Sequence, residues 1–123
     1  MNNRTILSFL MAMLMLCACS QSRRTEIEAR KEALKHKQDS ALAAAQQRLA
    51  EVDSMLEVTK VEHDKQHEWV MAHSTKLNEQ SPEVQRLNQL RSHRDSLEVE
   101  WQTLGAKIKY IRKKQQESEA ASE

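Results

Sequence analysis

Glycine, proline and cysteine are scarce in this 123-residue chain, which contains one Gly, one Pro and two Cys. The scarcity excludes a Gly-rich phosphate-binding loop, a turn-punctuated all-β fold, a disulfide scaffold and a Cys-based zinc site. From Cys19 onward only 35 residues are apolar, and 11 of these are Ala. Such a chain forms one small domain at most and cannot enclose a thick core.

No excess of charge of one sign is present either. Arg4 is the only charged residue among the first 18, and the remaining 105 residues carry 18 Lys and Arg against 18 Asp and Glu. Global charge therefore favours neither nucleic acid nor an acidic substrate as a partner. Locally, residues 107–114 carry a net charge of +5 and residues 39–100 a net charge of −5.

A short apolar run occupies the N-terminus, from Ile6 to Leu16, after a basic start at Arg4. Eleven helical residues rise about 16 Å, which is too short for a hydrocarbon core of about 30 Å. The run therefore has the form of a signal-peptide core. The sequence that follows, Leu-Cys-Ala-Cys-Ser at 16–20, resembles the lipobox of bacterial lipoproteins.

This resemblance implies cleavage after Ala18 and lipidation of Cys19, with residues 1–18 as the removable signal. Lipidation of Cys17 and an ordinary secretory signal remain as alternatives. Ser20 at the second mature position is similar to the outer-membrane sorting pattern, so we expect the protein to be lipid-anchored and periplasm-facing. The resemblance covers residues 1–20 only.

The remainder has the composition of long helices, rich in Ala, Glu, Lys, Gln, Arg and Leu. After a tether at 19–24, a capping box from Thr25 to Glu28 predicts a helix over 25–78. A turn at 79–81 follows, and Ser81 with Pro82 predicts the start of a second helix over 82–115. The tail 116–123 lacks large apolar residues and is expected to be disordered.

Apolar residues in both helices recur in alternating steps of three and four, the heptad pattern of a coiled coil. We therefore predict an all-α fold, an antiparallel two-helix coiled-coil hairpin with a membrane-proximal helical stalk. We call the heptad stripe of each helix the seam. If the chain reverses at residue 80, seam residues whose numbers sum to 160 face each other. The seam residues are Leu49, Val52, Leu56, Thr59, His63, Gln66, Val70 and His73 in the first helix, and Leu87, Leu90, Arg94, Leu97, Trp101, Leu104, Ile108 and Ile111 in the second.

In this register Gln66 faces Arg94 and Leu56 faces Leu104. The polar layer is expected to define the register at some cost in stability. About 20 residues of the first helix remain unpaired as a stalk of roughly 30 Å. A heptad shift would centre the turn near residue 76 or 83, against the Ser81 and Pro82 signal.

A thin hairpin of this kind favours a second copy or another protein partner. Six apolar residues outside the seam could form the contact, namely Met55, Val58, Val61, Trp69, Val99 and Tyr110. We expect a membrane contact through Cys19 and no nucleic-acid partner.

Candidate chemistry is sparse. His63 and His67 lie one helical turn apart, a spacing that metal sites use, but His63 falls in the seam and no third ligand beyond His93 is indicated. Ser, Asp and His residues show no spacing that identifies a catalytic triad, and a two-helix rod offers no pocket that excludes water. We expect no enzyme activity and no cofactor.

The sequence therefore favours a lipid-anchored envelope protein that acts as a structural spacer or protein-interaction module. The alternatives are a periplasmic chaperone-like or assembly accessory lipoprotein that binds client proteins, and a histidine-based metal binder.

Overall fold

The computed structural model describes the backbone of residues 3–123 and the side chains of residue 8 and residues 10–123. Met1 and Asn2, the first residues of the predicted signal, lie outside this range. Helix α1 spans Asn3–Ala72, a 3₁₀ turn spans Ser74–Lys76, and helix α2 spans Pro82–Ser122. The prediction of an all-α helical hairpin is confirmed.

The chain divides into two compact units, residues 1–39 and residues 40–123. The second unit contains the hairpin, because residues 40–72 of α1, the connection and all of α2 lie within it. In the first unit, the described side chains up to Lys37 are all exposed. Among the described residues, no helix is both long and apolar enough to cross a membrane.

Helix α1 shows no break at Thr25, where the capping box predicts a helix start. The Thr25 hydroxyl donates to the carbonyl oxygens of Gln21, at 3.2 Å, and Ser22, at 2.9 Å. Those bonds are typical of a threonine inside a helix rather than at its first position. The structure therefore differs from the predicted start, because the preceding residues continue the helix.

Helix α1 ends six residues before the predicted position, and a histidine marks the end. The backbone N–H of His73 is shared between the carbonyl oxygens of Trp69 and Val70, both at 3.2 Å. The His73 ring Nδ1 lies 2.8 Å from the Trp69 oxygen, which can only accept, so the ring donates. Leu77, which falls within the predicted helix, instead has an extended backbone.

The connection therefore spans residues 73–81, longer than the predicted turn at 79–81. Asn78 and Ser81 hold its last part together: the Asn78 N–H donates to Ser81 Oγ at 2.9 Å, and Ser81 Oγ donates to Asn78 Oδ1 at 3.2 Å. Ser81 occupies the position before α2, and Pro82 begins the helix. The Ser81 side chain makes no capping bond to α2, because Asn78 occupies it.

Polar contacts between described residues of the two helices indicate the register. They join Arg48 to Glu100, Lys60 to Glu98, His63 to Arg94, and Gln66 to the Glu83 carbonyl. The residue numbers of these pairs sum to 148, 158, 157 and 149, with a mean of 153. The predicted sum of 160 is therefore wrong by one heptad.

The predicted register cannot form the contacts of Arg48 and Gln66. It would place Glu100 opposite residue 60, about 18 Å along the helix from Arg48, beyond the reach of the guanidinium. In the corrected register Glu100 lies opposite residue 53, little more than one turn from Arg48. The error came from centring the chain reversal on residue 80, whereas the midpoint between Ala72 and Pro82 is residue 77.

Val52, Leu56 and Leu97 form the core cluster of the hairpin, with Leu104 packed against it. Val52 has no exposed surface. The buried stripe continues away from the turn through Ala45, Ile108 and Ile111. The predicted register instead leaves α1 unpaired up to residue 45. The hairpin thus extends further along α1 than predicted.

Helix α2 continues through Ser122, so the tail predicted to be disordered is helical. Ion pairs join Glu117 to Lys114 at 2.9 Å and to Lys113 at 4.0 Å, three and four residues back. The hydroxyl of Ser122 donates to the carbonyl oxygen of Ser118 at 2.7 Å. These local contacts and the alanines of the tail favour helix without any core.

Candidate functional site

The predicted lipidation residue, Cys19, lies within α1 and is exposed, as is Cys17. Ser20, the residue after Cys19, donates from its Oγ to the Cys17 carbonyl oxygen at 2.9 Å. The helix segment before the cysteines presents large apolar side chains to solvent. These are Leu10, Met11, Met13, Leu14, Met15 and Leu16.

The structure brings the sequence-predicted seam residues to the contact between α1 and α2, with two exceptions. Nine are buried: Val52, Leu56, Thr59, His63, Val70, Leu87, Leu97, Ile108 and Ile111. Leu49, Gln66, Leu90, Arg94 and Leu104 are half-buried. His73 is exposed because α1 ends before it, and Trp101 keeps 44% of its surface exposed.

The predicted layer of Gln66 facing Arg94 does not form. Gln66 Nε2 instead donates to the Glu83 carbonyl oxygen at 3.1 Å, in the first turn of α2. Arg94 donates to Asp95 Oδ1 at 3.2 Å, and its Nη1 lies 3.5 Å from His63 Nδ1. Gln66 and Arg94 would face each other if the pair sums were 160. In the observed register they are offset by one heptad.

His63 occupies a polar stretch of the seam with an incomplete set of hydrogen bonds. Its Nδ1 lies 3.2 Å from Asp64 Oδ1 and 3.5 Å from Arg94 Nη1. An unprotonated Nδ1 accepts from Arg94, whereas a protonated Nδ1 donates to the Asp64 carboxylate. In both cases Nε2 is buried without a hydrogen-bond partner.

The two metal candidates, His63 and His67, stack with their ring centroids 6.0 Å apart. Within residues 3–123, no group of three or more His, Cys, Asp and Glu side chains is placed to hold a metal ion. The guanidinium of Arg94 beside His63 would also repel a bound cation. The arrangement therefore favours a packing role for His63.

An ion pair that the sequence reading missed joins the flanks of the hairpin. Arg48 Nε donates to Glu100 Oε1 at 2.7 Å and Nη2 donates to Oε2 at 3.3 Å, while Nη1 donates to Glu51 at 3.2 Å. The hydrogen bonds from Arg48 lower the pKa of Glu100 below its ordinary value. The same bonds, with those to Glu51, raise the pKa of Arg48. Only the correct register could have revealed this pair.

The apolar residues predicted to contact a partner all lie outside the seam and are exposed. They are Met55, Val58, Val61, Trp69, Val99 and Tyr110. Trp69 stacks on His73 with ring centroids 4.2 Å apart, and Lys114 Nζ lies 5.9 Å from the Tyr110 ring centroid. Met71 and Trp101 add exposed apolar surface that the sequence reading did not place there.

Comparisons of the chain with protein-family models, curated proteins and solved structures find no match.

Proposed function

We propose that this protein is a lipid-anchored cell-envelope protein whose helical hairpin acts as a structural spacer or protein-interaction module. The observation that carries the proposal is a two-helix hairpin with exposed apolar side chains outside its seam on both helices. Such surfaces suit binding of a protein rather than chemistry on a small molecule.

The anchor rests on the residues around Cys19. An apolar run ends at a Leu-Cys-Ala-Cys sequence that resembles a lipobox, and the thiol of Cys19 is accessible. Removal of residues 1–18 and acylation of Cys19 would attach the chain to a membrane without crossing it. Buried acyl chains contribute about 0.8 kcal/mol per methylene, so several chains hold the protein there stably. By the same resemblance, we place it at the outer membrane, facing the periplasm.

A matched pair of cysteine variants tests the anchor. The full-length chain is produced in a bacterium that processes lipoproteins, with metabolic incorporation of a labelled fatty acid. We expect label in the wild-type chain and in Cys17→Ser, and loss of label and of membrane fractionation in Cys19→Ser. Label that persists in Cys19→Ser, or a mature wild-type chain with an unmodified thiol at Cys19, would contradict the proposal.

Crosslinking of the native lipidated protein in cells, followed by mass spectrometry, tests whether the hairpin binds a specific protein partner. One dominant partner is expected. The same exposed apolar residues favour a second candidate function, binding of unfolded clients by a chaperone-like accessory protein. That function predicts a smear of many crosslinked proteins and suppression of client aggregation, and either result would count against a dedicated partner.

A further inference from the structure

A second heptad stripe lies along α1, beside the seam. Its six residues, the outer stripe, follow steps of three and four: Met55, Val58, Glu62, Lys65, Trp69 and Ala72. The first five each come one residue before a seam residue, about 100° around the helix from it. All six side chains are exposed in the structure.

The outer stripe has the pattern of a helix-pairing surface with a charged centre. Met55 and Val58 lie at one end, Trp69 and Ala72 at the other, and Glu62 with Lys65 lie between them. Within the part of the chain that the structure describes, neither Glu62 nor Lys65 forms a salt bridge. Both charges therefore remain free to meet a partner.

The outer stripe is complementary to itself when two copies run antiparallel. Residues whose numbers sum to 127 then face each other, so Met55 meets the partner's Ala72 and Val58 meets the partner's Trp69. At the centre Glu62 faces the partner's Lys65, and two-fold symmetry repeats every contact. Each apolar residue meets an apolar residue, the small Val58 faces the large Trp69, and each charge meets its opposite.

Other alignments lose this match. A parallel pair in register places Glu62 against the partner's Glu62 and Lys65 against the partner's Lys65, which repel. Shifting the antiparallel pair by one heptad places Trp69 against the partner's Lys65 or the partner's Glu51. Charge and size complementarity thus select one orientation and one register.

We propose that a second copy of this chain binds the outer stripe, with the two α1 segments antiparallel over residues 55–72. The proposal names a partner for the interaction module described above, and rests on that function for its biological role. The two chains enter the paired stretch from opposite ends, which favours an interaction module over a spacer made of parallel copies.

Charge reversal tests the pairing. The full chain carrying Cys17→Ser and Cys19→Ser is studied in detergent by sedimentation, where we expect a concentration-dependent dimer. Glu62→Lys or Lys65→Glu alone places like charges together at two symmetric positions and should weaken dimerisation about tenfold. The double variant restores opposite charges and should recover it, while Glu68→Lys, at an exposed position outside the outer stripe, should leave it unchanged.

Crosslinking with a short thiol reagent tests the orientation in the same background. A mixture of Met55→Cys and Ala72→Cys chains should form a crosslinked dimer, whereas neither variant should crosslink with itself. Self-crosslinking of Met55→Cys would overturn the antiparallel arrangement, and a chain that stays monomeric would overturn the proposal. Capture of a different protein by a photoreactive group at residue 58 in cells, without a self-adduct, would also overturn it. None of these results depends on Cys19. The experiments therefore distinguish a failure of the dimer proposal from a failure of the lipid-anchor proposal.

Discussion

At the scale of single residues, His63 is notable because a side-chain nitrogen on the buried face of the hairpin lacks a hydrogen bond. His63 Nε2 has no partner, whichever group its Nδ1 engages. A buried polar atom without a hydrogen bond is destabilising, so an apolar residue of similar size should suit this position better. The corrected register places half-buried Leu90 opposite it.

We therefore expect His63→Leu to raise the free energy of unfolding by about 1 kcal/mol. Thermal melting of the full chain in detergent, followed by circular dichroism, measures the change. His93→Leu, at an exposed position on α2, is the control and should change stability by less than about 0.5 kcal/mol. A destabilised His63→Leu variant would indicate that the imidazole has a partner beyond this chain.

The ion pair between Arg48 and Glu100 gives the hairpin a dependence on pH. Arg48 lowers the pKa of Glu100 below the ordinary 4.5, so the folded state favours the carboxylate. The stabilisation is present above pH 4.5 and is lost as the pH falls through the lowered pKa of the folded state. Glu100→Gln should lower the melting temperature at pH 7.

The difference in melting temperature between the wild type and Glu100→Gln should shrink below pH 4.5 and disappear once the wild-type carboxyl is protonated. Glu57→Gln, which removes an exposed carboxylate, should follow the wild type at every pH. Added salt should also reduce the difference at pH 7, since both side chains of the pair are partly exposed. A difference of the same size at acid pH would refute the assignment.

At the scale of the elements, the position of the chain reversal decides which residues meet. A heptad pattern repeats every seven residues, so the seam residues are the same whether the pair sums are 153 or 160. Polar contacts such as Arg48 with Glu100 and Gln66 with Glu83 select the lower value. The resulting layers place Leu56 opposite Leu97 rather than Leu104.

Paired substitutions distinguish the two registers. Leu56→Asp puts a carboxylate into the core cluster and should cost about 4 kcal/mol, enough to unfold the hairpin. Adding Leu97→Lys should restore part of the lost stability by placing an ammonium opposite the carboxylate. Leu104→Lys, one heptad away, is the matched comparison and should restore less. The reverse order in melting experiments would favour the register in which the numbers of facing residues sum to 160.

Part of the turn could be read from the sequence and part could not. Pro82 predicts the start of α2 because its ring suits the first helical position, and α2 begins there. No glycine or proline lies near the end of α1, so the sequence contains no signal for that end. At this end the His73 ring donates to the carbonyl oxygen of Trp69, and further along the connection Asn78 and Ser81 exchange hydrogen bonds.

At the scale of the whole molecule, the hairpin is a unit of its own. Residues 40–123 contain every contact between α1 and α2 described above, and residues 1–39 form a separate compact unit. The described side chains of the first unit up to Lys37 are exposed. Its removal should therefore leave the core cluster and the cross-helix ion pairs unchanged.

We expect a fragment of residues 40–123 to melt within a few degrees of the full chain at equal concentration. Circular dichroism of the two proteins in the same detergent measures this, with the fragment carrying Leu56→Asp as an unfolded reference. A fragment that is no more stable than this reference would show that residues 1–39 contribute to the hairpin.

The sequence by itself determined the all-α class, the presence of two long helices, most residues of the seam and the position of α2's first turn. These follow from local properties, namely helix propensity, the spacing of apolar residues and the fixed φ of Pro82. Tertiary structure decided the register, because every heptad shift buries the same stripe. The choice among shifts depends on how many residues the connection at 73–81 uses, and on which long polar side chains can reach across the two helices.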